Sequence, residues 1–91
     1  MYQVEITNKF KKDYKLCKKR GLEISLLKKV IEDLVSNKKL PEKNKPHVLR
    51  GNFKGFWECH IQPDWLLIWE VDEENKNIKL IRTGTHSDLF K

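Results

Sequence analysis

Residues 57–71 have the sequence WECHIQPDWLLIWEV, and this stretch decides the fold. Its first part alternates polar and apolar residues as far as Ile61, which is typical of a strand with one buried face. Pro63 and Asp64 then interrupt the alternation and predict a turn. Residues 65–71 are nearly all apolar, which predicts a strand in the centre of a sheet. The stretch is therefore a hairpin whose turn carries polar, titratable groups.

The rest of the chain adds two strands and two helices to this hairpin. An acidic turn at 72–75 leads to a strand over 77–85, and a short turn over 87–90 follows. Before the hairpin, the pattern predicts a strand over 2–6, a helix with Phe10, Tyr14 and Cys17 on its buried face, a second helix over about 23–36, and a long polar loop over 37–52. The order β-α-α-β-β-β predicts one α+β domain over 1–91, with two N-terminal helices packed on an antiparallel sheet.

The charge of the chain favours a polyanionic partner. The formal net charge is +6 over 91 residues, and residues 1–50 carry 14 of the 19 Lys and Arg side chains. The sequence contains no apolar run of about 18 residues, so we expect no membrane span. It begins without a charged leader and an apolar run, and its two cysteines, Cys17 and Cys59, are far apart. We therefore expect a cytoplasmic protein with reduced thiols.

Five side chains at strand ends or in loops could support cleavage of an RNA phosphodiester without a metal ion. Such a reaction needs a base for the 2′-hydroxyl proton, an acid for the 5′-oxygen and a cation for the phosphorane. Imidazoles suit the first two tasks, and the guanidinium of arginine suits the third. Strand parity places Arg82 and His86 on the same side of the last strand. The candidates are His47, His60, Asp64, Arg82 and His86.

Other interpretations of the same residues remain open on spacing alone. Histidines in small domains are more often surface or hydrogen-bonded core residues than catalytic groups, and Arg82 could pair with Glu58 or Glu70 instead. Tryptophans are more often core than base-stacking residues, and the lysines of the first helix could form a solvated face. His60, Asp64 and His86 could also ligate zinc or manganese.

Two motifs resemble the YafQ branch of the RelE/ParE toxin superfamily. These are His-x-x-Pro-Asp-Trp at 60–65 and Arg-x-Gly-Thr-His at 82–86, and the stretch Leu49-Arg50-Gly51-Asn52-Phe53-Lys54-Gly55 is similar as well. The resemblance covers essentially the whole chain and implies a RelE-like β-α-α-β-β-β fold. It also implies the toxin of a type II toxin–antitoxin pair that cuts mRNA, typically in the ribosomal A site, with no metal and no cofactor.

The resemblance further implies site residues and partners. The implied catalytic residues are His47, His60, Asp64, Arg82 and His86, and the implied substrate-binding residues are Trp65, Phe90, Lys54 and Arg50. The implied partners are a DinJ-like antitoxin, mRNA and the ribosome, with operator DNA bound only through the antitoxin complex and no membrane contact. The alternative is a non-catalytic, ParE-like toxin that binds a protein target such as gyrase.

Overall fold

The computed structural model describes residues 1–51 and 55–90. A five-stranded sheet has the strand order β1-β5-β4-β3-β2. The strands are β1 (Gln3–Ile6), β2 (His47–Val48), β3 (Trp57–Gln62), β4 (Trp65–Asp72) and β5 (Asn77–Gly84). The helices are α1 (Asn8–Lys19), α2 (Ile24–Val35) and α3 (His86–Leu89), with a 3₁₀ turn at Glu42–Asn44.

The sheet is mixed, whereas the sequence analysis expected an antiparallel one. The pairs β2–β3, β3–β4 and β4–β5 are antiparallel, but β1 pairs with β5 in parallel. A parallel pair needs a long connection between its strands, and here the whole chain from α1 to β4 supplies it. The α+β class and the predicted order of elements are confirmed, with β2 and α3 as short additions.

The helices cover one face of the sheet and form the main core with it. Thr7 is the N-cap of α1, and its side-chain oxygen accepts a hydrogen bond from the Phe10 backbone N–H at 3.1 Å. Gly21, with φ +80°, allows the chain to turn into α2. The core on this side consists of Phe10, Cys17, Leu27, Val30, Leu40, Cys59, Ile61, Trp65, Leu67, Trp69, Ile78 and Leu80.

A smaller apolar cluster covers part of the opposite face. Leu66, Ile68 and Leu89 are buried there, and Leu49, Phe56 and Ile81 pack against them. α3 therefore lies on the face away from α1 and α2, and the polar part of that face is left for the site. Within residues 1–51 and 55–90, no helix is long and apolar enough to cross a membrane.

Candidate active site

His60 projects from β3 onto the face opposite the helices. Its neighbours Cys59 and Ile61 both belong to the helix-side core, and side chains alternate between faces along a strand. In the β3–β4 register His60 lies opposite Leu66, which belongs to the cluster on the far face. The side chain of His60 is partly exposed. The sheet thus places a titratable ring where substrate can reach it.

Asp64 and His86 meet across the ends of β4 and β5. Asp64 lies in the tight turn between β3 and β4, and His86 is the first residue of α3, just after β5. One oxygen of Asp64, Oδ1, accepts from the His86 backbone N–H at 3.0 Å and lies 2.7 Å from the ring atom Nδ1. Two contacts to one oxygen fix both the backbone and the imidazole of His86.

The rings of His60 and His86 lie close together. Their centroids are 5.8 Å apart, and the ring planes are inclined by 58°. We call His60, Asp64 and His86 the histidine cluster. Polar groups from β3, from the β3–β4 turn and from the start of α3 therefore converge on one face, as the sequence predicted for strand ends.

The hydrogen bonds of the histidine cluster determine the protonation state of Asp64. Hydrogen bonds from the His86 backbone N–H, and then from its side chain, lower the pKa of Asp64 below its ordinary value of 3.8. Asp64 is therefore an ionised acceptor near neutral pH, and Nδ1 of His86 must carry the proton that it donates. The other ring nitrogen, Nε2, remains available to exchange a proton with a substrate.

His47 forms a separate pair with Glu58. It lies in β2 directly opposite Glu58 of β3, and its Nε2 is 3.1 Å from Glu58 Oε1. Its Nδ1 is 2.8 Å from the carbonyl oxygen of Lys45, so Nδ1 is the donor in that contact. The structure connects His47 to the cluster only through β3, where Glu58 and His60 project on the same side.

Glu58 is a residue that the sequence analysis did not place in the site. It is 5% exposed, and its Oε2 has no hydrogen-bond partner within the described residues. A buried carboxylate oxygen without a hydrogen-bond partner is energetically costly. Its position in strand β3, two residues before His60, is the signal that could have identified it.

Arg82 is not part of the histidine cluster. The register of β4 and β5 shifts after Ile68, so that Ile68 pairs with Arg82 while Trp69 pairs with Leu80. β5 ends at Gly84 and His86 begins α3, so the strand parity that placed Arg82 beside His86 does not extend to His86. Arg82 turns toward α1, where its Nε and Nη2 donate to Asp13 at 2.6 and 3.0 Å. The alternative of a structural ion pair is therefore what the structure contains, with Asp13 as the partner in place of Glu58 or Glu70.

Comparison with known proteins identifies the family. The model of the YafQ family, described as bacterial toxins of type II toxin–antitoxin systems, matches residues 2–91. The chain belongs to the YafQ family. The mRNA interferase toxin YafQ of Escherichia coli strain K12 is 38% identical over 88 residues, which cover 96% of this chain and 94% of that protein.

Solved structures of similar proteins share the fold over their full length. A metal-bound toxin from Helicobacter pylori is 40% identical, with a TM-score of 0.93, and the match covers 99% of this chain and all of that one. The Escherichia coli DinJ–YafQ complex contains a chain that is 36% identical, with a TM-score of 0.91 and full coverage of both. The predicted YafQ resemblance and the predicted fold class are confirmed.

The remaining residues that the YafQ resemblance implies are distributed unevenly around the cluster. Trp65 is 2% exposed, and its indole N–H donates to Thr83 Oγ1 at 2.9 Å, so it supports the site from the core and offers no ring for base stacking. Phe90 is 43% exposed directly after α3, and Arg50 is exposed after β2. Lys54 lies outside the described residues.

A basic cleft lies on the other side of His60. It has a volume of about 490 Å³ and is lined by Leu26, Lys43, Lys45, His60, Ile61, Gln62 and Pro63. Asn44 holds this segment in place, because its side-chain amide donates to the His60 carbonyl oxygen at 2.7 Å. The sequence analysis treated this part of the loop only as basic and polar. The 3₁₀ turn packs against β3, and this packing places the two lysines in the lining of the cleft.

In the described part of this YafQ-family chain, no group of three or more His, Cys, Asp or Glu side chains is arranged to hold a metal ion. In the histidine cluster, the Asp64 oxygen nearest the rings is already bound by two nitrogen atoms of His86. Asp64 and His86 are therefore hydrogen-bonded to each other, and the three side chains do not form a three-ligand site in this arrangement.

Proposed function

We propose that this protein is the toxin of a type II toxin–antitoxin pair and an endoribonuclease that cleaves mRNA at the histidine cluster. The observation that carries the proposal is the pair of imidazoles whose centroids are 5.8 Å apart, one of them oriented by an ionised carboxylate. Imidazole side chains can both accept and donate a proton, which suits general acid–base catalysis. A toxin that acted only by binding a protein target would not need this arrangement.

The proposed reaction is transfer within the RNA backbone. One imidazole accepts the proton of a 2′-hydroxyl, whose oxygen attacks the adjacent phosphorus atom. The bond from phosphorus to the 5′-oxygen breaks, and the second imidazole gives that oxygen its proton. The products are a 2′,3′-cyclic phosphate and a 5′-hydroxyl. Asp64 holds the His86 ring so that Nε2 faces the reacting atoms.

A cation is needed beside the phosphate, and we propose Lys43 and Lys45 for this role in place of Arg82. Arg82 already donates two hydrogen bonds to Asp13, and these raise the pKa of its guanidinium. The two lysines are exposed and line the cleft that contains His60. We therefore propose that they contact backbone phosphates of the RNA, with Phe90 and Arg50 as further substrate contacts.

The proposal includes the ribosome as the place of cleavage. The similar Escherichia coli protein is named an mRNA interferase, and the basic first half of this chain suits contact with ribosomal RNA. Ribosome dependence is tested by adding the purified chain to a reporter mRNA with and without translating ribosomes. Cuts that occur equally in both reactions would contradict it.

The experiment for catalysis replaces one ring at a time. His86→Gln and His60→Gln should each lower cleavage of a reporter mRNA by roughly 100-fold or more, because each removes a proton-transfer group. The matched control is Glu74→Gln, an exposed change in the β4–β5 turn far from the cluster. Primer extension gives the cut sites, and growth on induction gives toxicity. Unchanged cuts and growth arrest in His86→Gln would overturn the assignment.

A metal-dependent nuclease is the second candidate, and one observation favours it. The similar toxin from Helicobacter pylori was crystallised in a metal-bound form. We propose a reaction without metal, because Asp64 already holds His86 by hydrogen bonds and the two imidazoles supply both proton-transfer groups. Cleavage of a short RNA by the isolated chain, or by ribosomes kept in magnesium, should survive removal of transition metals by a selective chelator. Loss of cleavage, restored by zinc or copper, would favour the metal-dependent candidate.

We also propose a DinJ-like antitoxin as the partner, by analogy with the Escherichia coli complex. An apolar groove of about 660 Å³ lies between β1 and the helices, and four lysines border it. Val4 and Ile6 of the edge strand β1 are exposed beside this groove. A segment with apolar side chains and acidic flanks would complement both the groove and its rim. Operator DNA would then be bound only through the antitoxin.

A further inference from the structure

A continuous set of contacts joins the C-terminal end of α1 to His86. Arg20, the residue that caps α1, donates from Nη1 to Asp88 Oδ2 at 2.8 Å and from Nη2 to Asp88 Oδ1 at 3.4 Å. These residues are 68 positions apart in sequence. Nothing in the proton-transfer steps above uses either of them.

Asp88 also fixes the start of α3. Its Oδ2 accepts from the Thr85 backbone N–H at 3.0 Å, and its own backbone N–H donates to Thr85 Oγ1 at 3.1 Å. This reciprocal arrangement is a capping box, which sets the residue at which a helix begins. The helix begins at His86. At this first helical position the backbone N–H of His86 makes no hydrogen bond within the helix. The capping box therefore also sets the direction of this N–H.

We propose that Arg20 and Asp88 are positioning residues that hold His86 in the orientation needed for catalysis. The inference rests on the proposed function, because it concerns a group that we assign to proton transfer. The contacts run from Arg20 to Asp88, from Asp88 to Thr85, and from the adjacent His86 to Asp64. Neither Arg20 nor Asp88 is assigned a contact with RNA.

Several observations distinguish this set of contacts from an ordinary surface ion pair, which is usually of little consequence. The Asp88 side chain is 23% exposed, and a single oxygen of it serves both the guanidinium and the Thr85 N–H. A Cβ on Gly84 would lie 2.8 Å from that same oxygen, so the backbone is free of a side chain where Asp88 approaches it. The hydrogen bond from Arg20 makes the largest contribution, and with the hydrogen bond from the Thr85 backbone it lowers the pKa of Asp88 to about 2.

α1 holds the chain before His86 at a second point. Asp13, seven residues before Arg20 and therefore about two helical turns away, binds both the Arg82 side chain and the Thr83 backbone N–H, the latter at 3.2 Å. Residues of α1 and its C-cap thus bind the chain both before Gly84 and after Thr85. Loosening the Arg20 end should let α3 shift relative to Asp64 while β5 stays in place.

The experiment compares Arg20→Gln with Lys19→Gln in the full chain. Both changes remove one positive charge from the end of α1, but Lys19 is exposed and forms no ion pair in the described part of the chain. Arg20→Gln should lower kcat for mRNA cleavage by roughly 10- to 100-fold with KM changed less than about twofold, because misalignment affects the reacting groups more than binding. Arg20→Lys should restore part of the loss, and Asp88→Ala should reproduce it.

Amide hydrogen exchange measures the same effect without RNA. In Arg20→Gln the His86 and Thr85 amides should exchange about tenfold faster, while the amides of β4 remain protected. Equal kcat and equal exchange in Arg20→Gln and Lys19→Gln would overturn the inference. If the wild-type chain does not cleave RNA but His86 exchange still depends on Arg20, the proposed function fails and the positioning contact stands. If the wild-type chain cleaves RNA but His86 exchange does not depend on Arg20, the proposed function stands and the positioning contact fails.

Discussion

Gly84 shows how a single residue type can be required by a contact several residues away. It has φ +155°, and a Cβ at this position would meet the carboxylate of Asp88 at 2.8 Å. The motif Arg-x-Gly-Thr-His therefore contains a glycine because Asp88 must come close to Thr85. The same approach is what allows the capping box of α3 to form.

Gly84→Ala should lower the free energy of unfolding and disturb the site. The added methyl group must displace Asp88, and overpacking of this kind costs about 1–3 kcal/mol. Gly21→Ala is the matched control, since Gly21 also has positive φ, +80°, but has nothing within 4 Å of the Cβ position. Gly21→Ala should cost only the backbone strain of a left-handed conformation, about 1–2 kcal/mol, which Gly84→Ala incurs in addition to its overpacking. Urea denaturation gives both values, and equal losses in the two variants would contradict the contact argument.

Asp64 and Arg82 show which features of the site could be predicted from the sequence and which could not. The convergence of His60, Asp64 and His86 could be predicted because polar groups cluster where strands end. The direction of Arg82 could not, because parity counting assumes a continuous strand, and β5 ends at Gly84 before His86 begins α3. Asp13, the partner of Arg82, lies 69 residues away on a helix face, and no local pattern connects the two.

At the level of elements, α3 is a four-residue helix whose position depends on carboxylates. Asp88 has a pKa lowered to about 2, and the pKa of Asp64 is lowered as well. A group whose pKa is lower in the folded than in the unfolded state stabilises the fold above the unfolded value, 3.8. That contribution is lost as the pH falls from about 4 toward 2.

Acid should therefore loosen α3 through Asp88. Between pH 4 and pH 2 the free energy of unfolding should fall with a contribution from Asp88 on the order of 1–2 kcal/mol. Asp88→Asn should flatten this part of the pH dependence, and Glu74→Gln, an exposed change outside α3, should leave it unchanged. Urea denaturation at pH 2, 3, 4 and 6 measures both slopes. An Asp88→Asn profile parallel to the wild type would contradict the assignment.

The sheet topology is the element-level feature that periodicity could not supply. Alternation in residues 2–6 predicts the strand β1 but carries no information about its partner or direction. The partner is β5, at the other end of the chain, and the pair is parallel. Hairpins such as β3–β4 and β4–β5 are predictable because a short turn fixes antiparallel pairing. Parallel pairing depends on the packing of α1 and α2, which lie between β1 and β5 in sequence and cover one face of the sheet.

At the scale of the whole molecule, the two edges of the sheet have different surroundings. β1 and β2 are the edge strands, and each exposes a branched apolar residue: Ile6 is 46% exposed and Val48 is 49% exposed. Ile6 lines the groove between β1 and the helices, which is bordered by Lys11, Lys15, Lys18 and Lys28. Val48 lies at the other end of the sheet. The four lysines of the groove belong to residues 1–50, which carry 14 of the 19 Lys and Arg side chains.

This asymmetry predicts where the antitoxin is bound. Ile6→Lys should weaken binding of the cognate antitoxin by about tenfold or more, because it places a charge against the apolar side chains that fill the groove. Val48→Lys makes the same chemical change on an equally exposed edge residue and should leave the affinity within about twofold. Because both residues are about half exposed, neither variant should lose much folding stability, which thermal denaturation checks. Titration calorimetry at two salt concentrations gives the affinities, and binding of Ile6→Lys should still weaken with salt through the four lysines. Equal affinities for the two variants would place the antitoxin elsewhere on the molecule.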